Sequence, residues 1–271
     1  MTAQNARDEH LQALEGWIYP STEAEEARRA FVERCVSNLG GHYQEPAQVH
    51  SLEEEVYTGR STQELKDSGY SPLPLATEPA TASFDQAGLD AYLGKEGQTF
   101  TVNFMDYSTG PINSAGCMAQ SYQYIYGSAE LGLKTALLAP RFGAAIEEAV
   151  RTDSKYQALQ EAWARCMNQA GFPQVSSADQ ASYQASLLGA DQAEKMLAAD
   201  ITCREENDYD QTISQVKNSY YEAVYQRLRQ FSKDFETAST TSQEKIAADA
   251  QDPKSSSEVT LPTTSPSPSA S

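Results

Sequence analysis

No apolar run in this sequence approaches the roughly 20 residues that a membrane-crossing helix requires, so it offers no span to a bilayer. Basic residues are scarce: 20 Lys and Arg stand against 38 Asp and Glu, a formal charge of -18. Such an excess of carboxylates repels polyphosphate, which argues against nucleic acid as a general partner and against unassisted docking on an anionic lipid surface. Histidine occurs three times, at His10, His42 and His50. None belongs to a His-Glu-x-x-His pair, and Gly-x-Ser-x-Gly elbows and phosphate-cradling glycine loops are also missing. No catalytic residue, metal ligand or cofactor is assigned on this basis. The opening residues Met1-Thr2-Ala3-Gln4-Asn5 carry neither a basic leader nor an apolar core. For an exported protein, the expectation is a signal already removed and Met1 as a cloning start.

What is present suffices to fold. An apolar fraction of 39% is modest but above that of a wholly disordered chain. Four cysteines, Cys35, Cys117, Cys166 and Cys203, lie tens of residues apart, unlike the short paired spacings of structural zinc sites. An even number fits two disulfides, with three possible connectivities. Four buried thiols in a reducing compartment are the plainer alternative. Two of the cysteines share a context. Arg34-Cys35 is followed by Gly40, and Arg165-Cys166 by Gly171, five residues on in each case. Both glycines are placed to take the left-handed conformation that ends a helix, so each cysteine is expected near a helix C-terminus.

The stretches Trp163-Ala164-Arg165-Cys166-Met167 closing on Gly171-Phe172, Ala198-Ala199-Asp200-Ile201-Thr202-Cys203, and Gly116-Cys117-Met118-Ala119 resemble uncharacterised secreted proteins and lipoproteins of actinobacteria. By order of motifs the resemblance covers residues 25 to 235. It implies export, residence near the cell wall, and disulfides pairing Cys35 with Cys117 and Cys166 with Cys203. It implies no catalytic residues. Members often carry a lipid-bearing cysteine near the start, and this sequence has none there.

Periodicity predicts an all-α, mostly helical chain: a single irregular helical domain with long loops, two disulfides and a long C-terminal helix. Residues 1–20 are expected as an N-terminal helical extension, 21–250 as the stapled domain, and 251–271 as a disordered Ser/Pro/Thr tail. Thr22 with Glu25, Ser51 with Glu54 and Ser61 with Glu64 have capping-box spacing. Thr99–Phe104 reads as extended without an evident partner, Tyr107–Asn113 as a loop holding Gly110-Pro111, and Ser114–Tyr126 as a helix. Ile213, Val216, Tyr220, Val224, Leu228, Phe231 and Phe235 form one long helical stripe, too aromatic for a coiled-coil heptad.

Candidate chemistry is sparse. Glu53-Glu54-Glu55, Glu147-Glu148 and the acids from Glu205 to Asp210 could supply a carboxylate pair for glycosidic hydrolysis, although adjacent acids on a helix diverge. Asp208 and Asp210 lack the glycine and terminal glutamate of a calcium loop. Tyrosine, at 15 residues, is the remaining signal. Tyr107, Tyr122, Tyr126, Tyr220 and Tyr221 are the candidate lining of a binding groove, since amphipathic rings serve sugar, peptide and protein surfaces; they serve an ordinary core equally. The sequence therefore points to a secreted or envelope-associated protein that binds a cell-wall component or an envelope protein without catalysis. A wall-active hydrolase built on a carboxylate pair is the alternative.

Overall fold

The computed structural model describes residues 3–45, 51–71, 82–95 and 97–251. In chain order these form α1 (Ala3–Ile18), α2 (Thr22–Asn38), β1 (Tyr43–Gln44), α3 (Leu52–Glu55), α4 (Thr62–Ser68), β2 (Ser83–Phe84), α5 (Gln86–Leu93), β3 (Thr99–Phe104) and β4 (Tyr107–Asn113). There follow α6 (Cys117–Tyr126), α7 (Ala129–Gly132), a π-helical segment (Leu133–Leu138), α8 (Arg141–Thr152), α9 (Ser154–Gln169), α10 (Ala181–Ser186), α11 (Ala190–Glu206), α12 (Tyr209–Leu228) and α13 (Ser232–Gln251). The chain is thus mostly helical, with long loops, two disulfides and a long C-terminal helix. It divides into two compact units: residues 1–15, 49–78 and 141–230 make the first, and 16–48, 79–140 and 231–271 the second. Residues 252–271 of the expected tail, His50, and residues 72–81 with Pro72, Pro74 and Pro79 lie outside the described residues.

Side chains cap the starts of α2, α3, α4, α5, α7 and α9. Ser61 and Glu64 form a complete capping box on α4, and Asp153 accepts the Lys155 and Tyr156 N–H groups at the start of α9. At α2 the cap falls one residue earlier than expected: Ser21, not Thr22, accepts from the Ala24 N–H at 3.2 Å. Glu25 is thereby freed from capping and turns into the core. Gly40 and Gly171 both adopt positive φ, +80° and +97°. After each, a paired closure ends the helix: Gly40 N–H to Ser37 and Gly41 N–H to Val36, then Gly171 N–H to Asn168 and Phe172 N–H to Met167. The two Arg-Cys segments therefore share one C-terminal geometry.

The second unit packs α2, α5, α6 and α13 together, with Phe31, Val32, Cys35, Val36, Tyr43, Ala91 and Cys117 in one buried cluster. The Cys35–Cys117 disulfide lies inside it, joining the last turn of α2 to the first residue of α6. β1 pairs antiparallel with β2, and β3 with β4. The partner missing from the sequence reading of β3 is thus the segment expected as a loop. Met105 supplies the reason: at φ +52° it opens a two-residue turn that folds Tyr107 back against Phe104. α6 starts at Cys117, three residues later than expected, because Gly116 sits at its N-cap against Leu93.

The first unit packs α8, α9, α11 and α12, with α4 and α10 against α11 and α3 against α8. Trp163 is fully buried and donates from Nε1 to Asp200 Oδ1 at 2.9 Å. The same oxygen accepts from Arg204 Nε at 2.7 Å, and Asp200 Oδ2 accepts from the Tyr70 hydroxyl at 3.0 Å. Tyr70, just beyond α4, is thereby tied to α11. The stripe from Ile213 to Phe235 does not form one helix. A 3-10 turn over Arg229–Phe231 separates α12 from α13. Ile213, Val216 and Leu228 serve the core of the first unit, and Phe235 that of the second.

Cys166–Cys203 ties α9 to α11 in the first unit. Cys166 is half-buried, whereas both halves of Cys35–Cys117 are buried. Since exchange requires a thiolate to reach a sulfur, the two bonds should open in order. Titration of the native chain with a water-soluble thiol, followed by alkylation and peptide mapping, should label Cys166 and Cys203 first. Simultaneous labelling of all four cysteines would refute this difference in access.

Candidate functional site

A cleft of about 330 Å³ opens in the first unit. One wall is α12, whose lining residues fall on two i, i+4 rows: Tyr209, Ile213, Lys217 and Tyr221, then Asp210, Ser214 and Asn218. The other wall is Glu53 of α3, the segment from Tyr57 to Ser61, and Glu64 of α4. That segment is held by both of its arginine neighbours. Arg151 donates to the Tyr57 carbonyl at 3.3 Å while paired with Glu147, and Arg204 donates to the Arg60 carbonyl at 2.7 Å. Arg60 in turn gathers the residues after α4, donating to the carbonyls of Gly69 and Ser71 and to the Ser68 hydroxyl. Tyr209 is fixed by a 2.6 Å bond from Gln160 Nε2 and by the Arg204 guanidinium 4.5 Å above its ring. The volume lies at the lower end of small-ligand sites, and the walls are preorganised.

The charges of the cleft are unequally committed. Glu64 accepts the Ser61 N–H and hydroxyl, and these bonds hold its carboxyl below the usual range. Asp210 accepts the Thr62 N–H at 2.8 Å. Glu53 and Lys217 make no hydrogen bond or ion pair with the described residues, although both line the cleft. Lys217 is half-buried. Burial pushes its ammonium below the ordinary lysine range, opposed by Glu53 and reinforced by Arg151. Burial also moves the Tyr221 phenol up, to about 12, with Glu15 and Glu53 acting in the same direction.

Of the five tyrosines read as a groove lining, only Tyr221 lines this cleft. Tyr220, on the same helix, donates to Asp153 Oδ2 at 3.0 Å, which braces the α9 cap. Tyr107, Tyr122 and Tyr126 belong to the second unit. Tyr107 is half-buried on β4 opposite Phe104. Tyr122 and Tyr126 are core residues, buried beside the Arg28–Glu25 ion pair, with the Arg28 guanidinium 5.3 Å from the Tyr122 ring. Burial lifts the phenols of Tyr70, Tyr122, Tyr126 and Tyr209 well above 10. A raised folded pKa contributes stability that is complete below the unfolded value near 10 and is lost as pH climbs towards the folded one. Tyrosinate absorbance from these rings should therefore appear together with loss of helical ellipticity above about pH 10. Their full ionisation with ellipticity intact would contradict the burial.

The acidic runs separate. Glu205 pairs with Lys66 at 2.5 Å, and Glu53 faces the cleft. Glu55 and Glu147 do come near each other: burial, then the like charge of Glu147, raises the Glu55 carboxyl. Glu147 is taken by Arg151 at 2.7 Å, and neither acid lines the cleft. His10 stacks on Tyr225 and meets Glu222 at 2.9 Å, while His42 is exposed and its backbone N–H donates to Asp85. Among the described residues no three His, Cys, Asp or Glu side chains gather as a metal cluster.

Sequence reasoning missed Lys217, Tyr57 and Tyr209. The available signal was a lysine at the centre of the Tyr209, Ile213, Tyr221 row, where a surface charge does not belong. No family model matches the chain, and no curated protein and no solved structure matches it.

Proposed function

We propose that this chain is a non-enzymatic binding protein of the bacterial cell envelope, secreted or held there, which recognises a cell-wall component or an envelope protein through the cleft of the first unit. The observation that carries the reading is the cleft itself. Its walls are fixed by Arg151, Arg204 and Gln160, and two opposite charges, Lys217 and Glu53, are left uncommitted within it. Two disulfides suit an oxidising, extracytoplasmic compartment, and the motif resemblance to actinobacterial secreted proteins points the same way.

A wall-active hydrolase is the second reading. In its favour stands Glu55, a carboxyl raised beside Glu147, as a general acid requires. Against it, Arg151 neutralises the partner acid, and Glu64 within the cleft is driven in the opposite direction. Cosedimentation with insoluble cell-wall material separates the two. The binding reading expects retention of the oxidised chain without release of soluble fragments, at least tenfold weakened by Tyr221→Ala. Fragment release abolished by Glu55→Gln would establish the hydrolase instead, and absence of retention and release together would sink both for wall material.

A further inference from the structure

Two features of the cleft remain unexplained by the stability of the unit. First, Lys217 is carried on the wall-forming row of α12 with Tyr209 and Ile213 before it and Tyr221 after it, so it is half-buried among rings and an aliphatic side chain. A partly desolvated ammonium without a hydrogen-bonding acceptor is unfavourable unless something supplies one. Second, Glu53 lines the same cleft and is felt by Lys217, yet the two do not form an ion pair. The other charged groups at the site are committed within the protein: Glu64 to Ser61, Asp210 to the Thr62 N–H, and Arg60 to Ser68, Gly69 and Ser71. Among the described residues the cleft thus holds a half-buried cation, Lys217, and an exposed anion, Glu53, unpaired and apart on the elements that form its two walls.

We propose that this cleft binds a small zwitterion of the amino-acid or short-peptide class, its carboxylate held by Lys217 Nζ and the Tyr221 hydroxyl and its ammonium received by Glu53. The inference deepens the binding reading and rests on it. A single carboxylate suits the cleft better than a phosphate, because Glu53, Glu64 and Asp210 line it with negative charge that a multiply charged anion would meet. About 330 Å³ is ample for a dipeptide. Tyr57, half-buried at the cleft wall, supplies a flat face for the ligand's aliphatic body, and the Tyr221 hydroxyl makes no hydrogen bond with the described residues, so its proton can be donated.

Calorimetric titration of the full oxidised chain with alanyl-alanine, its C-terminal amide, its N-acetyl form and inorganic phosphate tests the assignment. Free alanyl-alanine should bind, amidation should weaken it at least tenfold, and N-acetylation should weaken it several-fold. Lys217→Met should bind the free and amidated dipeptides equally weakly, Lys217→Arg should restore part of the preference, and Glu53→Gln should abolish the penalty for N-acetylation. Because Lys217→Met removes a half-buried charge, it should fold at least as stably as the parent; circular dichroism on each variant checks this. Equal binding of dipeptide and amide, a Lys217→Met variant with parental affinity, phosphate binding as tight as dipeptide, or no binding of any zwitterion would each overturn the proposal. If the chain is retained on wall material while dipeptide fails to bind, the ligand assignment falls and the binding reading stands. Release of the retained chain by free dipeptide identifies peptide ends on the wall as the source of the ligand, and dipeptide binding without release identifies a soluble one.

Discussion

Replacement of Asp200 by alanine is expected to cost about 3–5 kcal/mol of stability, a large part of the roughly 5–15 kcal/mol typical of a domain. The Asp200 side chain is 0% exposed and that of Arg204 is 1% exposed. Three donors converge on this carboxylate: Trp163 Nε1, Arg204 Nε and the Tyr70 hydroxyl. Removal strands a buried guanidinium and leaves a fully buried indole N–H without its acceptor, and each loss exceeds the modest net value of an ordinary hydrogen bond. Asp200→Asn keeps the shape but not the charge, so it should fall between the alanine variant and the parent. The chain's two tryptophans report separately, because Trp163 lies in the first unit and Trp17 in the second. Denaturant unfolding followed by Trp163 fluorescence in a Trp17→Phe background measures the effect; a shift below 1 kcal/mol for Asp200→Ala would contradict the role given to this centre.

The second unit contains a counterpart. The Arg28 side chain, 2% exposed, donates from Nε to Glu25 at 2.9 Å and from Nη2 to Glu45 at 2.7 Å. Glu45 also accepts from the Tyr43 hydroxyl at 2.6 Å. Arg28→Met should cost about 3–5 kcal/mol, since it leaves two nearly buried carboxylates facing each other without a cation. The planar guanidinium reaches both acids at once, which a lysine ammonium does less well, so Arg28→Lys should recover only part of the loss. Adding Glu25→Gln and Glu45→Gln to Arg28→Met should restore stability, because the burden is uncompensated charge rather than lost packing. Thermal unfolding followed by circular dichroism, with Trp163 kept in place because it donates to Asp200, decides this. A triple variant no more stable than Arg28→Met alone would refute the electrostatic account.

Both centres were missed in the sequence, and for the same reason as Lys217. Arg28 sits on the face of Ala24, Phe31 and Cys35, and Arg204 follows Asp200 by one helical turn. Charged residues default to the surface in a sequence reading, so a charge lying inside an apolar stripe was passed over. Features governed by local chemistry were legible. Gly40 and Gly171 ended their helices as expected, because a left-handed cap selects glycine and leaves a hydrophobic run behind it. The disulfide pairing followed the motif resemblance. β4 was illegible because Gly110-Pro111 signals a loop, and proline is tolerated here only because the hairpin has two strands and thus two open edges. The apolar stripe read from the sequence ends at Phe235, yet α13 continues to Gln251. Small buried residues, Ala238 and Ser242, replace the apolar stripe, and Lys245 and Asp249 close on Tyr124 of α6. Contacts of this kind depend on the partner surface, which one-dimensional periodicity does not contain.

On the proposed function, recognition takes place at the α12 cleft without chemistry on the partner. Hydrogen-exchange mass spectrometry of the oxidised chain, with and without solubilised cell-wall fragments, tests it most directly. Slowed exchange is expected over residues 53–64 and 209–221, with unchanged exchange in the second unit's α2 and α6 and fragments recovered intact. Protection confined to other segments, or fragments recovered cleaved, would contradict it.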